Sequence, residues 1–469
     1  MSKVPRRHLA APTRTAGVTG RAFGVLVAGY SASTFGNFLN LIALNLYTYQ
    51  LTGSATLTGL MMALKLGAGF LAGPVAGVLA TRCDRRYVMI ASDLTQAAGM
   101  LALVVAPSGT HTGLLYAVAA VLGAGNTVFL VSLRSSVPEM VGPETTVRAN
   151  SHLVTGKAIG MVAGYASAGL IVASWGYDAA FSLNAASFVV SALVLMWLPV
   201  SFRRAAEPDR DDTAPAARAE PPTVTEPPAP PARTPFTAAR ALYAVAPVAL
   251  AMVALRGLDA FGSASHNVAF PVFADLAHPE NPALFLSQFW LGWAVGSLTA
   301  SQLVPRWLRR TGTPHEWAFP IAMTVMSVAF VATFLPMPLG LLIGVALVAG
   351  AADGATEIVY TSRLQGTDDD LRGPVFGLAS STETFGFAAG MVASALLLDQ
   401  LPVPAVVGLF HGVVIVGVAG FLILLRARRR QRRPQTPVSG PATPDRATPG
   451  PAAPDRATAD RAAPDPASR

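Results

Sequence analysis

Residues 113–133 read GLLYAVAAVLGAGNTVFLVSL, a run with no ionised side chain before Arg134. As a helix rising about 1.5 Å per residue it is about 30 Å long, the thickness of a bilayer's hydrocarbon core. Hydrocarbon offers the backbone no hydrogen-bond partners, so such a run must be a helix that satisfies its own N–H and C=O groups. The spacing predicts a span over 113–137. Working outward, similar runs predict spans over 22–49, 56–80, 87–106, 147–173 and 179–199, then over 246–273, 283–304, 317–335, 339–362, 373–398 and 404–425. The expected fold is an all-α polytopic membrane protein with twelve transmembrane helices in two six-helix halves.

Composition agrees. Of 469 residues, 52% are hydrophobic and only 13% charged, against roughly 25% charged in soluble domains. The mean hydropathy is +0.47. A net charge of +8 does not imply nucleic acid, because the basic residues flank apolar runs instead of gathering into one footprint. The single cysteine, Cys83, permits no internal disulfide, and no metal or cofactor is expected.

Loop charge orients the spans. With the N-terminus inside, one set of loops carries Arg82, Arg85, Arg86, Arg148, Arg203, Arg204, Arg306, Arg309, Arg310 and Arg372, and the opposite set carries no lysine or arginine. The positive-inside rule then predicts an inner-membrane protein with both termini cytoplasmic. The first apolar run is too long for a signal-peptide core. Residues 1–21 are expected to be a cytoplasmic tail, 22–200 and 241–426 the two halves, and 201–240 and 427–469 a disordered linker and tail rich in Pro, Ala, Asp and Arg.

A weak repeat relates the halves. Gly123-Ala-Gly-Asn-Thr127, Arg134, Arg148 and Gly160-Met-Val-Ala-Gly164 are matched in order by Ala352-Asp-Gly-Ala-Thr356, Arg363, Arg372 and Gly386-Phe-Ala-Ala-Gly390. Parallel repeats of this kind build transporters with a substrate site between the halves.

The loop after the second span reads Gly77-Val-Leu-Ala-Thr-Arg82-Cys-Asp84-Arg85-Arg86 and continues to Asp93. It resembles the signature loop of the major facilitator superfamily. Tyr49-Gln-Leu-Thr-Gly-Ser54, Asn184-Ala-Ala-Ser-Phe188, Leu364-Gln365 and Arg372-Gly373 resemble the macrolide-efflux and enterobactin-exporter branch. The resemblance covers residues 21–426 and implies the major facilitator fold, a cytoplasmic charge latch and transport by alternating access. Two positions depart from the pattern. Thr81 stands where the loop's aspartate is usual, leaving Asp84 or Asp93 to replace it, and Gly164-Tyr165 stands where antiporters show Gly-Pro.

Ionisable groups inside spans cost at least about 2.5 kcal/mol each and normally face partners or a wet cavity. The second half concentrates them at Arg256, Asp259, Asp353, Glu357 and Glu383. Asp353 and Glu357, four apart, share one helix face, and like charges that close favour retaining a proton. They suit proton coupling or substrate contact, or alternatively a structural pairing with Arg363. Arg256 and Asp259, three apart, either neutralise one another or serve the site. In the first half Asn37, Asn40, Lys65 and Asn126 are candidates, with Lys65 binding an anionic group or pairing with Asp93. Lys157 is expected to snorkel. Phe285, Gln288, Phe289, Trp290 and Trp293 form either a binding wall or packing. His266 is expected to be hydrogen-bonded structure, and Arg134 and Arg363 gate or headgroup contacts.

These features predict a secondary transporter that acts as a monomer on a small organic molecule (a drug, siderophore or secondary metabolite), most simply a proton-coupled exporter. Proton-linked uptake and a non-transporting sensor or scaffold are the alternatives. The chain has no nucleotide-binding Gly-x-x-x-x-Gly-Lys-Ser/Thr motif, and no nucleophile–base pair suggests an enzyme.

Overall fold

The computed structural model describes residues 20–142, 145–198, 240, 243, 246–311, 315–367 and 369–432. The expected disordered linker and nearly all of both tails lie outside the described residues. The chain divides into a compact unit ending at Leu425 and a second unit from Arg426, whose described residues are helical to Arg432.

Among the described residues there are helices and turns but no strand. The long helices are α1 (Gly20–Thr52), α2 (Ala55–Arg82), α3 (Arg85–Val105), α4 (His111–Val141), α5 (Thr146–Trp197), α6 (Pro247–Ala277), α7 (Pro282–Thr311), α8 (His315–Thr333), α9 (Leu339–Gln365), α10 (Asp369–Leu398) and α11 (Val403–Arg432). All eleven are long and apolar enough to cross a membrane. Large apolar side chains such as Leu71 and Val416 are 73% and 72% exposed, a surface suited to lipid.

α5 carries two of the twelve expected spans. The predicted loop over 174–178 is helical except at Gly176, whose φ of 79° only glycine adopts without penalty. Packing against α1 shows that the chain reverses there. On the first limb Gly156, Gly160 and Gly164 meet Val27 to Ser31, Ser31 to Phe35 and Phe35 to Leu39 in turn, so this limb runs parallel to α1. On the second, Asn184 and Ser187 meet Gly36 while Val194 meets Gly29, so that limb runs antiparallel. Twelve crossings follow from eleven helices.

The second half repeats this plan. Gly386 and Gly390 on α10 meet Gly257, Phe261 and Ala264 of a parallel α6, and α11 runs antiparallel to α6 through Phe410 against Gly262 and Gly417 against Leu255 and Leu258. Gly160 and Gly386 therefore occupy equivalent places, as their sequence alignment suggests. The other aligned pair shifts. A Cβ on Gly123 would overlap the carbonyl of Lys65, and a Cβ on Gly350 that of Trp293, so Gly123 corresponds to Gly350 and not to Ala352.

The halves are bolted together at one end. Asp399, just past α10, accepts hydrogen bonds from Ala55 N (2.9 Å), Thr56 N (3.3 Å) and Ser54 Oγ (3.3 Å), capping the N-terminus of α2 from the opposite half. Gln50 Nε2 donates to Asp275 Oδ1 (2.6 Å) while its Oε1 accepts from Tyr177 (2.6 Å). Deeper in, Gly59 packs on Ala395 and Met391, and Gly169 N donates to Ser287 Oγ (2.6 Å). At the opposite end Gly73 and Gly77 of α2 and Gly377 of α10 face open space.

The signature loop sits at that open end. Arg85 donates to Ala80 O (2.7 Å) and Ser135 O (2.9 Å), tying α2 to α4. Asp84 caps α3 by accepting from Arg86 N (2.9 Å), Arg86 also reaches Met196 O, and Arg82 is exposed. These contacts lie within one half. Gly77 has nothing within 4 Å of where a Cβ would stand.

Candidate functional site

α6 places Arg256, Asp259 and His266 on the side that faces the other half. The glycines at 257 and 262 lie on its remaining sides, where α10 and α11 press against its backbone. With Asp353 of α9 and Glu383 of α10, and with Trp290 and Trp293 of α7, these residues line a cavity of about 470 Å³ that Leu41, Leu66 and Tyr165 close from the first half. Tyr165 and Trp290 stack across the two halves at 5.6 Å.

Arg256 organises the charges. Its guanidinium is 2.7 Å from Asp259 Oδ2, 2.9 Å from Glu357 Oε2 and 3.9 Å from Asp353 Oδ1. Glu357 also accepts from Thr361 (3.1 Å). Glu383 stands beside the hydroxyl of Tyr360. One guanidinium thus faces the four carboxylates of Asp259, Asp353, Glu357 and Glu383. Asp259 is 2% exposed and its Oδ1 lacks a hydrogen-bond partner. Asp353 and Glu383 are half-buried and Glu357 is exposed, so the cost of the carboxylate excess falls mainly on Asp259 and its immediate neighbours, where protons or a cationic ligand can neutralise it. The expected alternative, Arg363 as partner of Asp353 and Glu357, does not occur, because Arg363 pairs with Glu316 at 3.5 Å.

His266 is not solitary. Its Nδ1 lies 3.1 Å from Nε2 of His411 on α11, and Phe330 stacks on its ring at 3.7 Å. Both imidazoles are buried, and two ring nitrogens that close share a single hydrogen. Residues on separate helices 145 apart gave the sequence no cue to this pair.

The first half has its own cavity of about 220 Å³, lined by Asn37, Lys65, Asp93, Gln96, Asn126, Arg134 and Lys157 among others. Asn40 lines neither cavity; it is 1% exposed with Oδ1 unpartnered. The expected Lys65–Asp93 ion pair is absent; Asp93 is 1% exposed, and the hydroxyl of Ser191 stands beside its carboxyl. Asp93 lines this cavity. The α7 aromatics divide: Trp290 and Trp293 face the central cavity, Phe289 is fully buried, and Phe285 and Gln288 line a separate cavity of about 920 Å³ near the bolted end. Among the described residues no cluster of three His, Cys, Asp or Glu side chains is arranged to hold a metal.

Comparison with known proteins gives the fold its family. The Enterobactin exporter EntS of Shigella boydii serotype 4 (strain Sb227) is 26% identical over 407 residues, 85% of this chain and 91% of that protein. The uncharacterised MFS-type transporter YfiS of Bacillus subtilis (strain 168) is 29% identical over 185 residues, a match that spans 37% of this chain and 41% of YfiS. Among solved structures the nucleoside transporter NupG superposes with a TM-score of 0.65 at 14% identity, covering 86% of this chain and 99% of that one. A bacterial homologue of the iron transporter ferroportin in its inward-facing state gives 0.61 at 16% identity, covering 86% and 98%. The family match runs over residues 25–367, and with it the chain belongs to the Major Facilitator Superfamily and is a multi-pass membrane transporter.

Proposed function

We propose that this transporter is a monomeric, proton-driven exporter of a small organic molecule, working by alternating access with both termini in the cytoplasm. The observation that carries the proposal is the single Arg256 set against Asp259, Asp353 and Glu383 in a cavity between the halves, with the exposed Glu357 paired to it from outside the lining. Carboxylates in excess bind either protons or a cationic group of the substrate. Each therefore displaces the other, which is the thermodynamic content of an exchange between them.

The open end supports the loading step of this reading. The bolted end carries the loops free of lysine and arginine, and the open end carries Arg82, Arg306 and Arg310, which the positive-inside rule assigns to the cytoplasm. On that assignment the cavity faces inward, ready to load substrate from the cytoplasm. Protons entering from outside, after the halves rock about the site, release it. The similarity to an enterobactin exporter supports export over uptake.

The test compares accumulation of fluorescent organic amines and siderophore-like compounds in cells with and without the protein, with an uncoupler as control. Uncoupler-sensitive depletion is expected, and Asp353→Asn and Glu357→Gln should abolish it at equal expression. Full activity in both variants refutes carboxylate coupling. Uncoupler-sensitive accumulation instead of depletion identifies uptake.

A further inference from the structure

The two cavities carry opposite charge. The central one holds Arg256 against carboxylates, whereas the first-half cavity holds Lys65, Arg134 and Lys157 against Asp93 alone. Leu41 lines both, so they adjoin, and on α2 the neighbouring residues Lys65 and Leu66 line one each. A molecule lying across Leu41 therefore meets a positive wall at one end and a negative wall at the other.

The positive wall is also incomplete. Lys65, in mid-span and half-buried, has no carboxylate partner, although Asp93 shares its cavity. Gln96 Oε1 is buried without a hydrogen bond, and the two oxygens of Asp93 have one neighbouring side-chain donor, the hydroxyl of Ser191, both residues being 1% exposed. Buried polar atoms in folded proteins are almost always fully paired, so under-satisfied acceptors on one wall, in the same cavity as an ammonium without a carboxylate partner, mark a place that a ligand completes. The ligand must bring an oxyanion for Lys65 and a nearby N–H or O–H for Asp93 and Gln96. Arg134 and Lys157, both exposed, add positive potential at the approach.

We propose that the substrate is an organic zwitterion: its oxyanion, flanked by a hydrogen-bond donor, sits on Lys65 in the first-half cavity, and its ammonium group meets the carboxylates around Arg256. This rests on the export reading for the acidic end only. The basic end is an independent claim about Lys65. The aromatic rings of Tyr165, Trp290 and Trp293 would cover the apolar middle of such a molecule.

The test uses the full-length protein in nanodiscs and three fluorescent probes of one skeleton. Nα-dansyl-lysylglycine carries an ammonium, a carboxylate and an amide N–H beside it. Its C-terminal amide lacks the anion, and its Nε-acetyl derivative lacks the cation. The parent should bind at least about ten-fold more tightly than either derivative, the equivalent of about 1.4 kcal/mol. Lys65→Gln should erase its advantage over the amide and leave its advantage over the acetyl form, Asp353→Asn should do the reverse, and Lys65→Arg should restore the wild-type order. Lys65 packs against Gly123 through its backbone carbonyl, so these side-chain changes leave the α2–α4 contact in place. Equal binding of parent and amide to the wild type, no effect of Lys65→Gln, or no binding by any probe overturns the proposal. The two claims separate cleanly. Proton-dependent export that ignores Lys65 removes this inference alone, whereas the stated binding order with transport indifferent to the proton gradient removes the coupling alone.

Discussion

Replacing Gly77 by leucine should leave the protein folded and stop it transporting. Gly59 and Gly77 are eighteen residues apart on α2, five turns at about 3.6 residues per turn, so they lie on one face about 27 Å apart. On α10, Gly377 and Ala395 are also eighteen apart. At the bolted end Gly59 meets Ala395 so closely that a Cβ on it would come within 2.5 Å of the alanine methyl, while Gly77 and Gly377 have nothing within 4 Å. Rocking the halves to open the bolted end brings the second pair into the contact that the first pair gives up. A leucine at 77 costs nothing in the present conformation, but it must be overpacked in the alternative one. Overpacking costs about 1–3 kcal/mol in adaptable cores, and the upper figure applies where two backbones touch. About 3 kcal/mol lowers the outward-open population more than about 100-fold.

The assay is the distance between spin labels at Thr112 and Leu401, on the bolted end of opposite halves, in a Cys83→Ser background that removes the only native cysteine. The wild type should show a second, longer distance that grows under turnover conditions, and Gly77→Leu should show only the short one, with unchanged thermal stability and transport reduced by the same factor. Gly123→Leu is the contrasting control: its side chain would strike the Lys65 carbonyl, so it should fail to fold. A Gly77→Leu protein that transports normally would refute the transfer of contact from one end to the other.

Three further outcomes are expected. Asp399→Ala removes the carboxylate that accepts three hydrogen bonds at the N-terminus of α2; because the group is exposed, the loss should be about 1–2 kcal/mol, raising the long-distance population about 5- to 30-fold in the same measurement. Arg256→Met strips the counter-charge from Asp259 and should cost about 3 kcal/mol in a thermal melt, part of which a second change, Asp259→Asn, should restore. Deleting residues 434–469 should leave transport intact in the cell accumulation assay, whereas a sensor acting through its tail would lose its output.

Hydropathy made the helices legible because lipid forbids any other use of a long apolar run. It placed the reversal at 174–178 correctly but not its form, because the chain turns there through one glycine without leaving helical hydrogen bonding on either side. Of the charged cluster, the Arg256–Asp259 pair was visible as a local spacing. The bond from Arg256 to Glu357, 101 residues away, was not, and Arg363 looked an equally good partner until α8 supplied Glu316. The bolt was hidden for the same reason. Gln50 and Ser54 drew notice only as part of a family-like motif, and nothing in the sequence near Asp399 shows that it caps a helix in the other half. Periodicity reports which face is apolar, and only the packed fold reports which two faces meet.

The repeat sharpens what the halves share. Ser31 and Gly257 receive Gly160 and Gly386 in the same way, which aligns Phe35 with Phe261 and therefore Ser33 with Asp259, Tyr30 with Arg256 and Asn40 with His266. By the α2–α4 and α7–α9 contacts, Lys65 aligns with Trp293. The equivalent backbone positions are the ones that glycine holds in close contact within each half, so the two halves share their internal packing. The side chains that project from the same helices into the cavities are not equivalent: charge present in one half is replaced by a hydroxyl or an indole in the other. The first kind of position is alike because each half needs the same internal packing to move as one body. A transporter needs the second kind to differ, because a cavity with identical walls cannot tell one end of its substrate from the other.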